Sequence, residues 1–162
     1  MQKKNWQFLG ILVLIGITFL ASGCDPAVTA SNGKVTVSLT NHGGGADDYL
    51  YAYVYASGET DTDPPENVIA FKSEQIVGGT ASFILEEAAL GGGYVVASGT
   101  QWIGSGGTSY DLYVYTDTVD NQPSVQDNLE TEQKTDPFPI SITIDGDQTV
   151  EIDYTDMVEY IP

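Results

Sequence analysis

Two stretches of this chain alternate tyrosine with aliphatic residues, and a period of two is the pattern of a strand. Tyr49–Ala56 sets Tyr49, Tyr51, Tyr53 and Tyr55 against Leu50, Ala52, Val54 and Ala56. Tyr110–Thr116 repeats the theme, with Tyr113 and Tyr115 set against Leu112 and Val114. Successive side chains of a strand leave on opposite faces, so each segment carries one ring row and one aliphatic row.

Shorter segments between turn residues follow the same rule. They are Lys34–Thr40, Asn67–Phe71, Thr80–Leu85, Tyr94–Ser98, the Ile140, Ile142, Ile144 series and the Val150, Ile152, Tyr154 series. The last two flank Asp145-Gly146, a strong hairpin signal, and are expected to close the domain as a pair. No 3.6-residue pattern persists, although Ser124–Lys134 has the length for one short helix. About eight short strands predict an all-β fold, an antiparallel β-sandwich.

Upstream of the strands the chain changes character. Lys3 and Lys4 precede an apolar run, Phe8–Leu20, that stops at Ala21-Ser22-Gly23. A charged start, a short apolar stretch and small residues form a cleavable signal peptide. A permanent span needs about 20 apolar residues, more than this run supplies. Leu20-Ala21-Ser22-Gly23-Cys24 resembles the lipobox of bacterial lipoproteins, with Ala21 where that family prefers leucine. The resemblance implies that Cys24 becomes the lipid-modified first residue, carrying diacylglyceryl on its sulfur and, usually, a further acyl group such as palmitate. The alternative is ordinary cleavage that leaves Cys24 a free thiol. It is the only cysteine, so no internal disulfide can form. The expected organisation is a signal peptide at 1–23, a lipidated cysteine and tether at 24–33, a sandwich at 34–156 and a tail at 157–162. The expected location is a bacterial cell envelope, with the domain held to a membrane by lipid.

Charge narrows the partners. Without residues 1–23 the chain keeps three lysines, Lys34, Lys72 and Lys134, against all 23 carboxylates, and the net charge moves from −18 to −20. Nucleic acid is excluded, since phosphate binding requires clustered Lys and Arg. Electrostatic adhesion to anionic lipid is disfavoured as well.

A second resemblance lies within the strands. Val77-Gly78-Gly79-Thr80-Ala81-Ser82-Phe83-Ile84-Leu85, Gly91-Gly92-Gly93-Tyr94 and Tyr113-Val114-Tyr115-Thr116-Asp117 look like the rhythm of transthyretin-like (prealbumin-like) sandwich modules. That likeness implies a sandwich fold and an accessory role rather than an enzyme.

Under simple strand alternation, loops 41–48, 76–79, 99–109 and 145–147 gather at one glycine-rich end, and 57–67, 86–92 and 118–138 at an acidic one. Three site hypotheses follow. Asp111 and Asp117 mark the ring face of Tyr110–Asp117 as solvent, so Tyr51, Tyr53, Tyr113 and Tyr115 are candidate contacts for a glycan or protein ligand; the plainer reading is that tyrosine suits strands. Trp102 sits in a glycine-rich loop, either as an exposed contact or as a lid over the core end. Asp61, Asp63, Asp117 and Asp120 are oxygen ligands of the kind Ca²⁺ takes, making calcium the one cofactor suggested, against a reading as solvated loop carboxylates. Catalysis has no support: His42 has no identifiable Ser or Cys partner, and Glu86 and Glu87 are adjacent, facing opposite ways on a strand. The expected function is a non-enzymatic, lipid-anchored binding or structural module, with a calcium-dependent ligand-binding module as the alternative.

Overall fold

The computed structural model describes residues 29–43, 49–59, 67–91, 94–117 and 133–159. Cys24, Asp61, Asp63 and Asp120 lie outside the described residues, as does most of Ser124–Lys134. The strands are β1 (Val35–Thr40), β2 (Tyr49–Ala56), β3 (Ala70–Gln75), β4 (Ala81–Ile84), β5 (Glu86–Gly91), β6 (Tyr94–Gln101), β7 (Ser109–Asp117), β8 (Gln133–Lys134), β9 (Ile140–Thr143), β10 (Gln148–Asp153) and β11 (Val158–Glu159). A 3₁₀ turn, Tyr154–Asp156, separates the last two.

Two sheets pack together as a β-sandwich. The small one has the order β10-β1-β4, and the large one β11-β8-β7-β2-β3-β5-β6, with β9 also on β7. Between them lies the main core, in which Val35, Val37 and Leu39 of β1 meet Leu50, Ala52, Val54, Leu112 and Val114 from the aliphatic rows of β2 and β7. All eight are fully buried.

The closing hairpin expected around Asp145-Gly146 does not form. β9 pairs antiparallel with β7, and β10 crosses to the other sheet to run parallel to β1, from Val35↔Gln148 to Thr40↔Asp153. Ile142 and Ile152 therefore reach the same core from opposite sheets, which a two-stranded ribbon does not allow. Among the described residues the sandwich is antiparallel except for this pair.

That pairing also rearranges the ends. We name the end where the chain enters β1 the near end, and its opposite the far end. At the near end Gly33 and Gly104 form an isolated bridge, and Gly146 N–H donates to the Ser31 carbonyl. At the far end His42 N–H donates to the Gly79 carbonyl, and Asn41 Nδ2 donates to Asp153 Oδ2. Turns 76–79 and 145–147 thus lie at opposite ends, and the His42 and Trp102 loops do not share a tip. The acidic grouping divides too: Ala56 pairs with Tyr110 and Tyr49 with Asp117, so β2 leads into 57–67 at the near end while β7 leads into 118–132 at the far end.

One ribbon joins the layers. β4 pairs with β1, Leu85 N–H donates to the Val35 carbonyl, and β5 then continues in the same direction as part of the other sheet. Residues 86–92, expected as a loop, thus include a strand.

Candidate functional site

The tyrosine row does lie on the face opposite Leu50 and Val54, but it is not open. Tyr51, Tyr53, Tyr55, Tyr113 and Tyr115 are all 8% exposed or less and form a second core with Phe71 and Val95. Register explains their meeting, since β2 and β7 set Tyr51 opposite Tyr115 and Tyr53 opposite Tyr113. The Tyr51 and Tyr115 rings stack with centroids 5.1 Å apart and planes 8° apart, and Tyr53 stacks on Tyr115 at 6.0 Å. Tyr55 meets Tyr113 edge to face at 5.4 Å, and Phe138 meets Tyr113 likewise at 5.1 Å. Such pairs contribute about 0.5–1.5 kcal/mol each beyond the area they bury. Ala88 of β5 and Ala97 of β6 pack over the same cluster.

The carboxylates that suggested a solvent face sit at the two ends of β7. Asp111 Oδ2 accepts the Gly58 N–H at 2.8 Å, tying the near-end loop, and Asp117 is buried at the far end. A charge at a strand terminus says little about the face between the termini, and so the exposure expected of Tyr51, Tyr53, Tyr113 and Tyr115 is corrected. Trp102 is corrected in the same sense. It is 6% exposed, its ring stands edge to face on Tyr110 at 5.0 Å, and it closes the near end of the main core as a lid.

Of the proposed metal ligands only Asp117 is described, and it stands at the opposite end of β2 from Gly58 and Glu59, which precede Asp61 and Asp63. Among the described residues no three His, Cys, Asp or Glu side chains come together as a metal-holding group.

The most elaborated local structure is the near end, where the chain that follows Cys24 is clamped before it enters β1. Gly33 and Gly104 exchange backbone hydrogen bonds at 3.1 and 2.9 Å. Gly106 N–H donates to Asn32 Oδ1 at 2.8 Å, and Ser31 N–H to Asp145 Oδ1 at 3.3 Å. Asp147 accepts the Lys34 N–H at 2.9 Å and pairs with the Lys34 ammonium at 3.3 Å. The Lys34 amide, reinforced by its ammonium, holds the Asp147 carboxyl below its ordinary value against a smaller opposing effect of burial. Glycine is required here by space. A Cβ on Gly33 would strike the Gly146 carbonyl, one on Gly104 the Ile144 side chain, and one on Gly106 the Ala30 carbonyl.

A second polar lock lies at the root of the β5–β6 hairpin. Lys72 of β3 donates to Glu86 Oε1 at 2.7 Å, and Gly99 N–H donates to Oε2 at 2.7 Å. The Lys72 hydrogen bond lowers the Glu86 pKa, burial opposes it, and the Gly99 amide adds to the lowering. Glu87 faces the other way and is exposed, as strand alternation requires. Sequence reasoning missed both the clamp and this lock. Its only available signals were the spaced glycines of 104–107 and the lone lysine of β3, neither of which names a partner more than 100 residues away or in another strand. Comparisons with protein-family models, with curated proteins and with solved structures return no match, so the chain's function rests on its own residues.

Proposed function

We propose that this chain is a lipid-anchored lipoprotein of a bacterial cell envelope, whose β-sandwich acts as a non-enzymatic binding or structural module. The supporting observation is the clamp on residues 30–34 so soon after the lipobox-like Leu20-Ala21-Ser22-Gly23-Cys24. A domain joined to lipid through a short tether needs its first segment fixed, because any load on the anchor reaches the fold there. Four backbone hydrogen bonds, three side-chain acceptors and an ion pair meet that load over Ser31–Lys34. The inward-turned tyrosine row adds rigidity and offers no open ring for stacking, which moves the weight of the reading toward a structural or presenting role.

The test is metabolic labelling with radioactive palmitate in a bacterial host. The parent chain is expected to take up label and to fractionate with membranes, and Cys24→Ala to do neither. An unlabelled parent chain overturns the proposal.

A further inference from the structure

From Ala88 to Tyr110 the sequence carries no charged residue, in a chain of net charge −18. The large hydrophobics left exposed among the described residues concentrate in that same run: Leu90 at 81%, Tyr94 at 51%, Val96 at 39% and Ile103 at 49%. The other two, Val77 and Val158, lie toward the far end, on the 77–80 turn and on β11 beyond the 3₁₀ turn that follows β10. A soluble surface scatters its apolar residues, whereas apolar and aromatic side chains gathered on the uncharged outer part of a hairpin mark a contact surface.

Strand directions place that surface. β5 is antiparallel to β3, and β3 to β2, so β5 runs toward the near end. Leu85 is level with Val35 through their hydrogen bond. At about 3.3 Å per residue, Gly91 lies roughly 17 Å beyond Glu86. The β5–β6 hairpin therefore projects from the same end at which the clamped segment leads into β1. Ile103 adjoins the Gly33–Gly104 bridge. Between Thr29 and Cys24 the chain spans at most about 18 Å.

We propose that the projecting tip of the β5–β6 hairpin is a membrane-contact surface, in which Leu90 and Tyr94, on opposite faces of that tip, lie against the headgroup region of the bilayer that holds the anchor. This rests on the lipid-anchor reading above. Lipid is the occupant favoured over another protein because the tether length and the direction of both projections bring the bilayer to this end. The chemistry fits: an uncharged hairpin tip escapes repulsion by anionic headgroups, tyrosine favours the membrane–water interface, and aliphatic area gains by leaving water. The acidic residues of the clamp are engaged with the chain itself, Asp147 with Lys34 and Asp145 with Ser31.

The experiment uses the full chain produced in bacteria, purified from membranes and reconstituted into vesicles of phosphatidylethanolamine and phosphatidylglycerol with brominated acyl chains. Tyr94→Trp and Val77→Trp are compared after subtracting the parent chain's emission. The expected result is a blue-shifted, bromine-quenched emission for Tyr94→Trp and a water-like, unquenched one for Val77→Trp. Adding Leu90→Asp to Tyr94→Trp is expected to restore water-like emission. Equal behaviour of the two tryptophan variants in palmitate-labelled protein overturns the contact surface and leaves the anchor standing. Absence of palmitate overturns the anchor, and with it the premise of this surface.

Discussion

A methyl group on Gly33 would land on the Gly146 carbonyl, a backbone atom that cannot rotate away, whereas Gly43 has open space around it. Gly33→Ala is accordingly expected to cost about 1–3 kcal/mol in urea unfolding and Gly43→Ala much less. Tyr53 poses the complementary case, a fully buried ring packed against Phe71 and Tyr115 whose hydroxyl accepts from the Tyr115 hydroxyl at 3.5 Å. Tyr53→Ala is expected to lose about 3–5 kcal/mol, as large aromatic deletions in cores do. Tyr53→Phe keeps the ring and gives up the hydrogen bond from the Tyr115 hydroxyl, so a much smaller loss, about 1 kcal/mol, is expected. A small effect of Tyr53→Ala in the same unfolding experiment would mean that the ring row is not a core.

Strands β2 and β7 were legible because tyrosine and aliphatic residues alternate without a break, and the main core followed from their aliphatic rows. The covering of the ring row was not legible. It depends on Ala88, Val95 and Ala97 arriving on a hairpin whose first strand begins with Glu86-Glu87, a pair that reads as loop. Glu86 enters a strand because Lys72 and the Gly99 amide satisfy its carboxylate, a long-range arrangement no local pattern encodes. The β9–β10 turn was misread for a similar reason. Asp-Gly permits a tight reversal, with Gly146 at φ 83°, but the strands beyond it choose partners by burial rather than by nearness. The Glu86 lock carries its own prediction. Its folded pKa is lowered, so its contribution is present above the ordinary carboxylate value, near 4, and is lost as pH falls through the lowered value. Glu86→Gln is expected to lower stability by about 1 kcal/mol at neutral pH and to flatten its loss on acidification, both readable from melting temperature against pH. An unchanged slope would mean that the lock contributes nothing.

Across the whole molecule, acidity and the proposed anchoring act in opposite senses. The many carboxylates disfavour approach to an anionic surface, while the proposed acyl chains and the proposed contact through the uncharged run would bring one end to it. The carboxylates of Asp147 and Asp153 also have lowered pKa values, Asp147 mainly through the Lys34 amide and Asp153 mainly through the Thr155 amide. Together with Glu86 they give a stability that holds above about pH 4 and declines below it as each is protonated. Circular dichroism at fixed temperature is expected to trace that decline.

The parallel partnership of β1 and β10 has a consequence in time. The amide of Lys34 meets the carboxylate of Asp147 across a sequence separation of 113 residues, and β1 is flanked on that side by a strand synthesised long after it. Non-local pairing of this kind is slow to form and cannot precede the arrival of β10. A chain that emerges N-terminus first therefore leaves this edge of β1 open until β10 has followed. The sandwich closes late, which suits the proposed passage of an unfolded chain to the envelope. Nascent chains stalled before Gln148 are expected to remain protease-sensitive, and those released after Val158 to be resistant; early resistance would show that β1 finds its place without β10.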